Sequence, residues 1–330
     1  MVKWYRIPDN DKLRPFNFII GGWGVGKTYS TIDRAVLSYP GEFIYLRNTK
    51  EQLQESCGTF GNPFKKWNAK NNRDLFMKME KSHAVIIEPV NDKFEIQGYG
   101  ANLSTFENLR GVDLSNCKFE IFDEFIEDKT FQFDQFKAYT RHYETINRNR
   151  EFDGEQPFIS VCLSNAQRLG NPILRGFNLI PVIESMQRSG QQSAVVNNGK
   201  VRIELPFSEV SEEKKSTALY QATEGARFQG EALNNNFIND SFTGVKKVNI
   251  TEYLPMVCID DIYIYKHKSE VLYYACSVPA NVKRFTSRDN FLIFYRLYGT
   301  QLKLAIGSEK INFSDYATKV DLLQILKMLY

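Results

Sequence analysis

Residues 21–28 read Gly-Gly-Trp-Gly-Val-Gly-Lys-Thr, and their neighbours restrict the fold. The stretch follows the apolar run Phe-Asn-Phe-Ile-Ile (16–20) and precedes Thr-Tyr-Ser-Thr-Ile-Asp-Arg-Ala-Val-Leu-Ser-Tyr (28–39), which reads as a helix ending at Pro40-Gly41. Gly21, Gly26, Lys27 and Thr28 satisfy G-x-x-x-x-G-K-[ST], and the motif stands between a strand and a helix, where it must stand to work. Glycines at 21, 22, 24 and 26 let the backbone turn its N–H groups inward, onto phosphate oxygens. The helix N-terminus adds its positive end. Lys27 is placed to reach β- and γ-phosphates, and Thr28 to offer a hydroxyl to Mg²⁺. The expected ligand is ATP with Mg²⁺. A second strand, Glu-Phe-Ile-Tyr-Leu-Arg (42–47), completes a βαβ unit, the repeat of a parallel sheet with helical crossovers.

The same alternation continues. Residues 51–80 read as helix and loop, 83–100 as two strands around Asn91-Asp92, 118–125 as an apolar strand ending in acids, 133–151 as a helix, and 157–166 as another buried strand. The expected class is α/β: a three-layer P-loop NTPase sandwich over residues 1–200. Residues 185–200 read as a loop or domain edge, and 201–244 as a helical lid or linker. Beyond Gly244 the pattern changes to that of a smaller α+β domain, 245–330. There 256–267, 270–278, 290–298 and 302–308 read as four strands, and 316–330 as a closing helix.

Phe-Glu-Ile-Phe-Asp-Glu-Phe (119–125) supplies the partner of the glycine loop. Asp123, at the tip of an apolar strand, can hold Mg²⁺ through its water shell. Glu124 follows and can orient or polarise the attacking water. This pair favours an ATP hydrolase over a kinase or GTPase switch, and no Asn-Lys-x-Asp guanine reader is present. Cys-Leu-Ser-Asn-Ala (162–166) ends the next strand, where Asn165 or Ser164 can sense the γ-phosphate by hydrogen bonding. A ring ATPase also needs a cation against the charge developing on the transferred group, and Arg110, Arg148 and Arg150 are available for it.

The whole chain of 330 residues carries a net charge of +3, but Lys246–Tyr330 holds 12 Lys/Arg against 8 Asp/Glu. Lys246, Lys247, Lys266, Lys268, Lys283, Arg284 and Arg288 interleave with aromatics there, a composition that can grip a phosphate backbone or simply face solvent. Asp260 and Asp261 end an apolar stretch, yet Glu252, Glu270 and Asp289 are too few and too scattered to promise a two-metal nuclease. Five cysteines form no CxxC pair and three histidines are dispersed, so no structural metal is expected and the thiols read as reduced. No secretory signal and no membrane-spanning run is expected.

Asn-Phe-Ile-Ile-Gly-Gly-Trp-Gly-Val-Gly-Lys-Thr-Tyr-Ser, Phe-Asp-Glu-Phe-Ile, Arg-Asn-Arg-Glu (148–151), Cys-Leu-Ser-Asn-Ala, Asn-Pro-Ile-Leu-Arg-Gly-Phe-Asn-Leu-Ile-Pro and Ala-Leu-Asn-Asn-Asn-Phe-Ile-Asn-Asp-Ser follow one another across roughly residues 15–240. In this order they resemble the DNA-packaging motor ATPases of the phi-twenty-nine-like short-tailed bacteriophages. The resemblance implies a ring-forming, terminase-like ATPase of the additional-strand, catalytic-glutamate type, working as a pentamer. It would pump double-stranded DNA into a procapsid through the portal, in the host cytoplasm, with a packaging RNA needed in some members. Lys27, Asp123 and Glu124 match the family's phosphate-loop lysine and acids, Arg148 its arginine finger, Arg110 a basic residue acting across the subunit interface, and Asn165 its coupling motif. The resemblance further implies a DNA-contacting, RNase H-like C-terminal domain that has lost its metal-binding acids. Two other readings stay open: a terminase-like ATPase with a live nuclease, and a nucleotide-gated phage assembly factor that binds without appreciable turnover.

Overall fold

A computed structural model describes residues 3–39, 41–105, 112–127, 133–166, 169–207, 209–226, 229, 232–233, 242–287 and 289–327. Arg110 and Arg288 lie outside them, as does most of Ala-Leu-Asn-Asn-Asn-Phe-Ile-Asn-Asp-Ser. The chain divides into two units: residues 1–173 with 185–239, and residues 174–184 with 240–330.

The first unit is built on a nine-stranded sheet. In chain order its elements are β1 (Phe16–Ile20), α1 (Lys27–Ser38), β2 (Glu42–Arg47), α2 (Lys50–Ser56), α3 (Lys65–Asn71), β3 (Phe76–Glu80), β4 (His83–Val90), β5 (Lys93–Asn102), β6 (Cys117–Asp123), α4 (Gln135–Asn147) and β7 (Ile159–Ser164). The chain then passes through α5 (Pro172–Gly176) and α6 (Ile180–Ser189), which straddle the division between the units. It returns to the first unit with β8 (Ser193–Val196), β9 (Val201–Glu204), α7 (Glu209–Lys214) and α8 (Ala218–Ala222). The strand order is β3-β4-β5-β2-β6-β7-β1-β9-β8. From β5 to β9 every neighbour pair is parallel. β1, β2, β6 and β7 are therefore buried on both faces and read as near-continuous apolar runs. Crossover helices demand that pattern, and the α/β expectation holds.

β7 lies between the strand that leads into the glycine loop and the strand that ends in Asp123. Its insertion sets the two motifs two strand places apart, with Asn165 at the tip between them. Beneath them runs a buried polar network. Ser160 donates to Glu120 (2.7 Å), Tyr139 donates to Ser160 (2.8 Å), and His142 Nε2 meets the other Glu120 oxygen. Glu120 and His142 are fully buried, so each satisfies the other in place of water.

The sequence reading fails in three places. Residues 76–80 are a strand, not loop, and residues 193–204 form the β8–β9 hairpin around Asn197, Asn198 and Gly199, all with positive φ. An Asn-Asn-Gly turn between short alternating runs is the signal that was available. In the second unit, 290–298 and 302–308 are not strands: Phe291–Phe294, a π turn Tyr295–Gly299 and Thr300–Gly307 make continuous helical structure. Phe294, Leu302 and Ala305 are buried at helical spacing, while Leu292, Ile293, Leu297 and Leu304 are exposed. An apolar run with large residues on every side hides its own period.

The second unit holds a five-stranded sheet, β10 (Tyr253–Ile259), β11 (Ile262–His267), β12 (Tyr273–Cys276), β13 (Arg284–Phe285) and β14 (Ile311–Phe313), in the order β13-β10-β11-β12-β14. β10, β11 and β12 form an antiparallel meander, with a parallel strand on each edge. One sheet face carries Val257, Ile259, Ile264 and Ala275 together with Leu302 and Leu322 of the helices, and the other carries Cys258, Tyr263, Tyr265 and Tyr274.

Candidate functional site

The glycine loop closes tightly around its own lysine. Gly26 sits at φ 101° and caps α1 without any side-chain bond, leaving the first N–H groups of that helix directed into the loop. Only glycine adopts this backbone without strain. At Gly22 the constraint is steric: a Cβ there would lie 2.6 Å from the Ala232 carbonyl oxygen. Lys27 is 7% exposed, and its Nζ donates to the carbonyls of Gly21 (2.9 Å) and Gly22 (2.8 Å) and to Asn165 Oδ1 (3.1 Å). Burial pulls its pKa down to about 8, Asp123 opposes the shift, and the charge of Lys214 adds to it.

Thr28 donates to both Asp123 oxygens, at 3.2 and 3.3 Å, and Tyr45 donates to Oδ2 at 2.8 Å. The Asp123 carboxyl is pushed up mainly by burial, against the pull of Arg47. A hydroxyl and a carboxylate side by side at the mouth of a phosphate-sized loop are hard oxygen donors, the set that Mg²⁺ takes alongside substrate phosphates. The residues present fit that ion and a nucleotide triphosphate. The loop opens into a cavity of about 850 Å³, lined along its length by Trp4, Tyr5, Tyr29, Pro63 and Lys66 as well as the loop itself.

Glu124 takes a left-handed conformation, φ 54°, and projects to 56% side-chain exposure. Arg47, at the end of β2, holds its carboxylate at 2.6 Å and lies 3.9 Å from Asp123. The backbone is pinned from behind: Asn48 donates to the Glu124 carbonyl (2.9 Å), and Gln135 donates to the Phe125 carbonyl (2.7 Å) and to Asn48 (2.7 Å). Sequence reading missed Tyr45, Arg47, Asn48 and Gln135. Tyr45 lies within β2, Arg47 ends it, Asn48 follows it and Gln135 opens α4; only the strand order brings them to the Asp123–Phe125 turn.

Of the two sensing candidates, Ser164 donates to the Ile126 carbonyl (3.2 Å), whereas Asn165 reaches Lys27. Arg150 is buried and donates to the carbonyls of Ser115 (2.8 Å) and Cys117 (2.7 Å), which makes it a structural tie. Arg148 is exposed, with its Nε donating to Thr145 O, and its backbone at φ 45°, ψ −125° is one that side chains avoid. α4 begins beside the Glu124 turn, where Gln135 bonds Phe125, and ends where Asn147 accepts from Phe158 N just before β7. Its 13 residues span about 20 Å. Arg148 and Lys27 of one chain thus stand at opposite ends of the sheet.

In the second unit Lys246, Lys247, Lys266, Lys268, Lys283 and Arg284 are all exposed. They do not share a face. Arg284 lies over the Tyr263 ring, while Lys283 lies over Phe285, on the side of the sheet that packs against helices. Asp260 and Asp261 form the β10–β11 turn and border a cavity of about 740 Å³ with Asp315 and Asp321. Each of three acids has a local duty: Asp260 accepts from Ser287 N (2.9 Å), Asp315 caps the helix Tyr316–Ile325, and Asp321 pairs with Arg175 (3.0 Å). Among the described residues no three His, Cys, Asp or Glu side chains gather to hold a metal ion, and no helix is long and apolar enough to cross a membrane.

A strand, a glycine loop and a helix around a buried lysine, with an Asp-Glu pair two strands away, constitute a phosphate-loop nucleotide-binding fold. The chain belongs to the Podovirus DNA encapsidation protein (Gp16) family, which matches residues 7–260. It is similar to the DNA packaging protein of Bacillus phage PZA, 26% identical over 242 residues that make up 71% of this chain and 65% of that protein. The DNA packaging protein of Bacillus phage B103 is 25% identical over 241 residues, 71% of this chain and 68% of that one. The chain thus matches about 65% of the length of such relatives. Among solved structures it resembles a chain of the bacteriophage Phi-29 viral genome packaging motor assembly, with TM-score 0.63, 21% identity, and coverage of 99% of this chain and 100% of that one. The Phi-28 gp11 DNA packaging motor gives TM-score 0.61 at 18% identity over 95% of both chains. At these identities the likeness is one of fold.

Proposed function

We propose that this protein is an ATP hydrolase that drives double-stranded viral DNA through the portal into a procapsid, as one subunit of a homomeric ring, by family analogy a pentamer. It would work in the host cytoplasm, with a packaging RNA as a further candidate partner. The observation that carries the reading is the convergence of Lys27, Thr28, Asp123 and Asn165 on one glycine loop, with Glu124 beside them. The names of the similar phage proteins support the DNA-packaging context.

Residue roles follow from position. Lys27 trades its two loop carbonyls for phosphate oxygens. Thr28 and Asp123 would hold Mg²⁺, which would offset phosphate charge. Glu124 orients the attacking water and accepts its proton, and to do so it must leave Arg47. Asn165 carries the state of the phosphate into β7. Arg148 is too far from its own loop to serve it, which supports delivery to the neighbouring subunit; Arg110 is proposed for the same interface. Residues 1–200 act as ATPase domain, 201–244 as lid and linker, and 245–330 as a vestigial nuclease-like, DNA-contacting domain through its exposed lysines and Arg284. A live nuclease is disfavoured, because Asp260 and Asp321 are engaged by Ser287 and Arg175.

Steady-state ATP hydrolysis, measured over a range of protein concentrations with and without long double-stranded DNA, tests this. Turnover per subunit is expected to rise with concentration and with DNA. Nucleotide binding with turnover flat in both would favour the nucleotide-gated assembly factor.

A further inference from the structure

Three successive carbonyls of the glycine loop each receive an ammonium. Gly21 and Gly22 accept from Lys27, and Trp23 accepts from Lys214. Lys214 comes from the last turn of α7, nearly 200 residues away in sequence. Its Nζ stands 3.1 Å from the point a Cβ on Gly24 would occupy, so it lies directly on the loop's outer turn. The two lysines feel one another: the charge of Lys214 makes Lys27 harder to protonate, and burial lowers the pKa of Lys214 itself.

α7 is fixed here by packing around the loop. Ser211 is buried, with its Oγ 3.3 Å from a Cβ position on Gly22, and Trp23 N donates to Ala232 O (3.0 Å). Glu209 pairs with Lys3, and Thr217 caps the end of α7 by donating to the Lys214 carbonyl. Two like charges held against neutral carbonyls at one loop repel each other, and an anion between them turns that repulsion into attraction. An ammonium bonded to a phosphate oxygen gains a full opposite charge that a neutral carbonyl does not offer.

We propose that Lys214 is a second phosphate-contacting lysine, carried by the segment 209–226, which leaves the Trp23 carbonyl for the terminal phosphate of a bound nucleoside triphosphate. Lys27 grips from inside the loop and Lys214 from outside. A diphosphate lacks the group that Lys214 takes, so α7 distinguishes ATP from ADP and passes that difference to the rest of the segment. This inference rests on the nucleotide-binding reading above.

The test is equilibrium binding of ADP and of a non-hydrolysable ATP analogue, each with Mg²⁺, to the full chain as wild type, Lys214→Met and Lys214→Arg, with melting curves alongside. Lys214 is half-exposed at the end of a short helix, so both variants should fold. Lys214→Met is expected to weaken the triphosphate analogue by about tenfold or more and ADP by less than about threefold, while Lys214→Arg keeps most of the preference. Equal losses for both nucleotides, or no loss for either, would overturn the proposal. A wild-type chain that binds neither nucleotide would overturn the nucleotide reading itself, and the wild-type arm alone reveals that.

Discussion

Lys27 is a buried cation whose direct hydrogen-bond partners are all neutral, with Asp123 and Glu124 near enough to favour its charge only in part. Its partners are two carbonyls and an amide oxygen, and burial leaves its pKa near 8. A phosphate placed against it must raise that value, because an opposite charge favours the ammonium. Below about pH 7 the lysine is already protonated and binding changes nothing; above about 8 binding must draw a proton in. Calorimetric titration of ATP at pH 8.5, in buffers of different ionisation enthalpy, should therefore show net proton uptake of a large fraction of one proton. At pH 6.5 this lysine should contribute none. Heats independent of buffer at the higher pH would mean that Lys27 is not the phosphate ligand. Glu124 is the complementary case, an acid held ready but restrained: Arg47 occupies it at 2.6 Å while Asn48 and Gln135 fix the left-handed turn it stands on.

At the scale of elements, the turn after α4 separates two arginines with opposite duties. Arg150 ties β6 to α4 through several backbone carbonyls, and removing a charged donor from buried acceptors costs about 2–4 kcal/mol. Arg148 holds an unfavourable backbone conformation and takes part in no such tie. Urea unfolding should find Arg150→Ala destabilised by about that amount, and Arg148→Gly more stable than wild type by about 1 kcal/mol as the strain is released. An Arg148→Gly chain less stable than wild type would show that the arginine side chain is itself structural. The contrast also shows what sequence can carry. Gly-Lys-Thr, Phe-Asp-Glu and Cys-Leu-Ser-Asn are legible because each motif is local and its strand context is apolar. Arg47, Gln135 and Lys214 enter through the order β2-β6-β7-β1 and the return of α7 to the loop, and no local spacing encodes either. The helices within 291–307 were misread because their exposed face is as apolar as their buried one.

At the scale of the whole molecule, the proposed function makes one chain carry both halves of a catalytic centre that stand apart. The glycine loop with its acids occupies one end of the parallel sheet, and Arg148 the other, about 20 Å away along α4. A monomer should accordingly be slow, and a ring fast. The direct test uses two inactive variants. Glu124→Gln keeps the arginine but loses the water-orienting acid, and Arg148→Ala keeps the pocket but loses the arginine. Each should show turnover reduced at least about a hundredfold when assembled alone with DNA. Mixed in equal amounts, Glu124→Gln subunits can lend Arg148 to intact pockets of Arg148→Ala subunits, and a substantial part of the wild-type rate should return. If the mixture is as inactive as its components, Arg148 does not act between subunits and the shared-site motor is contradicted.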